Sequence, residues 1–222
     1  MSTPSAPPPR WHRRPSARPE EILTAAIEVF GEVGFARARL DEVARRAGIS
    51  KGTLYLYFDS KEAIFRAMVR SRVISHVESG EALLERRDGS ARLVLEQFIR
   101  VWWEAARQPE MAKIIRLVHS EIGNFPGLAQ FFSDEVIART RRLLKRIVDF
   151  GTAQGEFRNL SNDFPSWAVG SLVVHGALRQ RFWAQYDPDA ISDEQVVNGI
   201  VDLILRGIEL TPGSASQEGA PC

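Results

Sequence analysis

The chain has 222 residues, 44% hydrophobic and 26% charged, with a formal net charge of +1, the profile of a folded domain with a sizeable core. Its one cysteine, Cys222, ends the chain; an intrachain disulfide and a thiolate metal site are both excluded. No run reaches the ~18–20 apolar residues that span a bilayer, and the front end lacks the apolar stretch of a secretory leader, so the reading is a cytoplasmic protein with no membrane partner.

The charge is unevenly spread. Residues 1–72 hold 13 Lys/Arg against 8 Asp/Glu, and the remainder 16 against 20. A basic front on an acidic body points to a polyanion partner for the front. Residues 1–17 are rich in Pro, Ser and Arg and read as disordered. Arg10, Arg13, Arg14 and Arg18, with Trp11 and His12, form either a basic arm for DNA or a solvated tail.

From there the chain reads as all-α: apolar residues recur at three and four, and no strict period-2 run occurs. The first helix follows Pro19 and buries Ile22, Leu23, Ala26, Ile27 and Phe30; Gly31 and Gly34 end it. A short second helix spans about Leu40 to Ala47 and stops at Gly48. Ser50 is a good N-cap for a third, which ends near Phe58. Asp59-Ser-Lys-Glu62 reads as a capping box for a fourth, running to about Arg86. After the Asp88-Gly89-Ser90 break, a fifth helix carries Leu93, Val94, Phe98, Val101 and Trp102. Pro109 suits the first position of a sixth, with Met111, Ile114, Ile115 and Val118. A seventh runs about Leu128 to Phe150. Pro165 opens an eighth, and Ser192-Asp-Glu-Gln195 is a capping box for a ninth, which ends before Thr211. Residues 212–222 read as a disordered tail.

The second and third helices around Gly48 have the helix-turn-helix layout, in which the second member enters the major groove. The turn needs a residue tolerant of positive φ, and Leu40, Val43, Ala44, Ile49 and Leu54 must pack inward. Lys51, Thr53, Tyr55 and Tyr57 then present donors and flat rings outward, although Tyr57 also suits the core edge. Lys61, where the fourth helix begins, is placed to meet a phosphate.

The string Ala-Gly-Ile-Ser-Lys-Gly-Thr-Leu-Tyr (47–55), the Tyr55-x-x-Phe58 ending and the Ser60-Lys-Glu start strongly resemble the DNA-binding domain of the TetR family of bacterial transcriptional regulators, over about Glu20 to Val69. The resemblance implies a homodimer whose third helices occupy successive major grooves of a pseudo-palindromic operator in double-stranded DNA. It implies that Lys51, Gly52, Thr53, Tyr55, Leu56 and Tyr57 face the DNA and that Lys61 holds a phosphate. Arg39 stands where the family often has Ser or Thr. It cannot cap the second helix by accepting a hydrogen bond, but it can contact phosphate.

For the C-terminal body the resemblance implies a small-molecule cavity and dimerisation through the last two helices. Candidate cavity residues are Phe98, Trp102, Met111, Ile115, Val118, His119, Phe125, Phe131, Trp167 and His175; each also suits plain core, and either histidine suits a satisfied buried position. Candidate interface residues are Val174, Leu178 and Phe182, beside the small Gly170, Ser171, Gly176 and Ala177, and Val197, Ile200 and Ile204 on the ninth helix; the alternative is packing within one subunit. The expected layout is a basic arm (1–17), a DNA-binding domain (18–65, motif about 40–58), an effector and dimerisation domain (66–211) and a tail (212–222). The expected function is a transcriptional regulator, a repressor released from its operator by a small apolar or aromatic effector. No cofactor is implied, and no nucleophile–base spacing, phosphate loop or metal motif supports an enzyme or carrier.

Overall fold

The structure is a computed structural model that describes residues 18–86, 89–160, 162 and 164–210. The basic arm at 1–17 and the tail at 212–222 lie outside the described residues. The helices are α1 (Arg18–Val33), α2 (Leu40–Arg46), α3 (Lys51–Tyr55), α4 (Lys61–Val69), α5 (Ser75–Arg86), α6 (Ala91–Arg107), α7 (Pro109–Glu121), α8 (Pro126–Phe132), α9 (Ala138–Ala153), α10 (Phe164–Phe182) and α11 (Asp193–Ile208). Among the described residues the sole β-type pairing is an isolated bridge between Phe157 and Glu209, and no helix is long and apolar enough to cross a membrane.

Serine hydroxyls start several helices by accepting otherwise orphaned backbone N–H groups. Ser50 accepts from Thr53 at 3.1 Å, Ser60 from Ala63 at 3.1 Å and Ser90 from Leu93 at 3.2 Å. The cap of α4 is therefore Ser60 and not Asp59. Ser192 and Gln195 form the reciprocal capping box expected at α11.

Two helix pairs are fused by π-helical turns: Arg70–Ile74 joins α4 to α5, and Ser133–Ile137 joins α8 to α9. Each pair is a continuous helical rod with side chains in both of the molecule's hydrophobic cores. One hydrophobic core lies among α1 to α4 and extends to Ile114, Leu117 and Val118 of α7 and to Leu128 and Phe131 of α8. The second lies among α5, α6, α9, α10 and α11. The N-terminal head thus shares its core with the body, which ties the orientation of one to the packing of the other.

Candidate DNA-reading surface and effector cavity

Helices α2 and α3 meet at Gly48, whose φ of 66° is the left-handed conformation that the turn requires. Leu54 is fully buried and anchors α3. Lys51, Gly52, Tyr55, Leu56 and Tyr57 are exposed, and Thr53 is half-buried with its hydroxyl 2.8 Å from that of Ser50. Leu56 is 83% exposed and Tyr55 46% exposed on the same short element. Apolar surface held out in this way suits the faces of thymine methyl groups.

Charge on this surface is organised by α2. Lys51 Nζ lies 2.8 Å from Asp41 Oδ1, and the hydrogen bond between them holds the Asp41 carboxyl below its ordinary range. Arg39 is exposed at the N-cap of α2 and makes no side-chain cap. Glu42, whose capping partner is missing, accepts from Arg45 at 2.8 and 2.5 Å and from Arg46 at 3.2 Å.

Lys61 is anchored within the protein as well as placed where the fourth helix begins. Its ammonium donates to the carbonyls of Phe35 and Ala36, so two of its three protons are spent inside the protein. The head is also clamped to α7: Lys113 pairs with Glu28, Arg116 donates to the Gly31 carbonyl, and Glu121 accepts from the Ala36 N–H at 3.1 Å.

In the body, a cavity of about 570 Å³ lies among α5, α6, α7, α9, α10 and both π turns, within the size range of about 300–1,000 Å³ usual for small-molecule sites. Phe98, Trp102, Met111, Ile115, Val118, His119, Trp167 and His175 line it. Phe125 and Phe131 do not. Phe125 packs edge-on against Phe35, 4.8 Å away, in the head's core. Phe131 lies beneath the guanidinium groups of Arg66 and Arg70, at 4.7 and 5.2 Å. Sequence reading missed His76, Thr140, Arg141, Ser166 and Phe132, all of which line the cavity. The signal for Thr140 was present: it continues the Val136, Leu143, Leu144, Ile147 stripe. Burial pushes the His76 imidazole below its ordinary value, which favours the neutral ring. Among the described residues no group of three or more His, Cys, Asp or Glu side chains could hold a metal.

The interface candidates divide. Val174 is half-buried and lines the cavity. Val197, Ile200 and Ile204 are only 6–7% exposed and belong to the second core, because their stripe faces α6 and α10. Leu178 and Phe182 are half-buried on α10. The apolar side chains that α10 and α11 leave open are Phe164, Trp167 and Leu203.

Comparison with known proteins agrees with this geometry. Residues 22–68 match the model for bacterial regulatory proteins of the tetR family, and residues 93–207 match that for the AefR-like transcriptional repressor C-terminal domain. The chain is 33% identical to the HTH-type transcriptional regulator RutR of Escherichia coli O157:H7 over 176 residues, 79% of this chain and 69% of that one. It is 32% identical to the fatty acid metabolism regulator protein of Bacillus subtilis strain 168 over 193 residues, 85% of this chain and 94% of that one. A solved regulator from Saccharomonospora viridis, in complex with choline, superposes with a TM-score of 0.71 at 19% identity, covering 88% of this chain and all of the other. An exposed recognition helix, a clamped head and a hollow helical body thus coincide with matches over both halves: the chain belongs to the TetR family of bacterial regulatory proteins and is a helix-turn-helix transcriptional regulator, not an enzyme.

Proposed function

We propose that the protein acts in the cytoplasm as a homodimeric repressor whose two α3 helices read a pseudo-palindromic operator, and that an apolar effector in the body cavity releases it. Lys51, Gly52, Thr53, Tyr55, Leu56 and Tyr57 carry the reading, with Arg39 on the backbone. Phe164, Trp167 and Leu203 supply open apolar surface for the partner subunit on α10 and α11.

One observation carries the coupling. Val73 from the first π turn and Val136 and Ile137 from the second wall the cavity. The rods that contain these turns join beside the head, where Arg66 donates to the Gly127 carbonyl at 2.9 Å and shares the Phe131 ring with Arg70. A ligand that prefers a different spacing of the turns moves both rods and, with them, the separation of the α3 helices. DNA prefers the separation that matches one helical turn, about 34–36 Å. The two ligands therefore oppose each other, with a coupling of typically ~1–3 kcal/mol. A body with this much hollow space speaks against a regulator that takes no ligand, and the name of the Bacillus subtilis relative supports an apolar one.

The test is selection of bound sequences from a random DNA pool, followed by competition of the winner with apolar compounds. A pseudo-palindrome bound by two chains and released by a cavity ligand is the expected result. No enriched motif, or operator affinity unchanged by every compound that binds, overturns the reading.

A further inference from the structure

Among the described residues two polar side chains are buried, Thr140 on α9 (8% exposed) and Ser166 on α10 (5% exposed), and both line the cavity. A helical hydroxyl can satisfy itself on the carbonyl four residues earlier, as Thr152 does on Val148 and Ser75 on Ser71, each at 3.0 Å. Thr140 and Ser166 make no such bond, and neither has another side-chain partner among the described residues. His76 on α5 adds a half-buried ring to the same lining, kept neutral by burial and likewise without a partner among the described residues. The other ionisable groups of the lining are exposed. Arg141 already has a partner, and His119 Nδ1 lies 2.8 Å from the Ile115 carbonyl.

We infer that the effector carries an uncharged oxygen, a carbonyl or a hydroxyl, on its apolar skeleton, and that the Thr140 and Ser166 hydroxyls bind it. This rests on the reading of the cavity as the effector site. The two unpartnered hydroxyls carry the argument. A buried hydroxyl left without a partner is costly, so a ligand oxygen that completes it gains more than a methyl group in the same place. A hydroxyl both donates and accepts, and a neutral imidazole does each with one nitrogen, so the site serves a carbonyl as well as an alcohol. An ion is poorly served there. Its lost hydration is offset only by a paired countercharge, and the buried part of the lining presents hydroxyls and a neutral ring instead. The apolar walls, among them Phe98, Trp102, Met111, Ile115 and Val118, take the skeleton.

The experiment is equilibrium dialysis of the full chain with three probes on one ring system. These are 2-acetylnaphthalene, 2-isopropylnaphthalene, which has a methyl group in place of the carbonyl oxygen, and 2-naphthoate, which is charged. Thr140→Val and Ser166→Ala each remove a hydroxyl and little volume. Each should weaken binding of the ketone by roughly three- to tenfold and leave the hydrocarbon within about twofold. A substitution that only disturbs packing would weaken both alike. The wild-type chain should bind the ketone at least about tenfold more tightly than 2-naphthoate. Should either variant fail to fold, that wild-type comparison decides alone. Ketone affinity unchanged in either variant, equal losses for ketone and hydrocarbon, or 2-naphthoate bound as tightly as the ketone overturns the inference while leaving the cavity an effector site. Binding of none of the three overturns both.

Discussion

The ammonium of Lys61 donates to the main-chain carbonyls of Phe35 and Ala36, at 2.7 and 2.9 Å, from a position 4.8 Å above the Phe35 ring. It therefore ties the first turn of α4 to the loop that leads into α2. The family resemblance assigns this lysine to phosphate, and the head's own architecture claims it first. Hydrogen bonds to a charged donor are worth about 1.5–3 kcal/mol each when buried and less when partly hydrated. Lys61→Met keeps the apolar stem and removes the donors, so it should cost about 1–2 kcal/mol and lower the melting temperature seen by circular dichroism. An unchanged melting temperature would show that these two bonds hold no weight in the fold.

Two glycines of the head test backbone strain separately from space. Gly48, at φ 66°, would place a Cβ in open surroundings, so Gly48→Ala carries only the left-handed penalty of about 1–2 kcal/mol. Gly34, at φ 82°, would place its Cβ 2.1 Å from Glu121 Oε1. The Glu121 side chain would have to leave, and the Ala36 N–H would lose its acceptor. Gly34→Ala should therefore cost more than Gly48→Ala in urea denaturation, by about 1 kcal/mol for the lost hydrogen bond. Equal costs would show that Glu121 contributes nothing to the clamp.

The helices themselves were legible because apolar period, serine caps and Gly48 act locally. The π turns were not. Arg70–Ile74 and Ser133–Ile137 contain no Pro or Gly, and a π turn adds one residue to a helix without altering its composition. Phe131 and Phe132 are neighbours about 100° apart on one helix; both pack against the head's core, and Phe132 also walls the cavity. A sequence signals that both are apolar; it does not signal which of them borders the cavity. The same holds for Val197, Ile200 and Ile204, whose periodicity demands burial without naming the helix that provides it. The exposed residues at the end of α3 were easier to find. Tyr55, Leu56 and Tyr57 follow one another directly, and a short helix that buries Leu54 on its inner face has no room there for three more large side chains.

Asp41 restrains the recognition helix. Its 2.8 Å ion pair with Lys51 is half-exposed on both sides, so solvent screens it and it adds little to stability. It also keeps an ammonium from DNA and places a negative charge beside the backbone it must approach. Asp41→Asn should raise operator affinity severalfold and make log K fall more steeply with salt, by up to about one unit per subunit. Filter binding across a salt series measures both. Affinity and slope equal to wild type would remove Lys51 from the proposed DNA contacts.

Acid should loosen the head through Glu42. The hydrogen bond from Arg45 holds its carboxyl at about 2, below the ordinary 4.5, and Arg46 adds to this. A folded-state value below the unfolded one means that the contribution is complete above about pH 4.5 and disappears as pH falls toward 2. Glu42→Gln lacks the titration, so its melting temperature should lie below wild type at pH 7 and approach it by about pH 3. The site is solvated, and the gap is small. Asp41, held down chiefly by a hydrogen bond from Lys51, still titrates in the variant and lowers both curves, whereas Glu32 shares Arg46 with Glu42 and is lowered further once the Glu42 charge is gone. The informative quantity is therefore the difference between the two proteins, and a difference that stays constant across that acid range would show that the Glu42 pairs hold no weight in the fold.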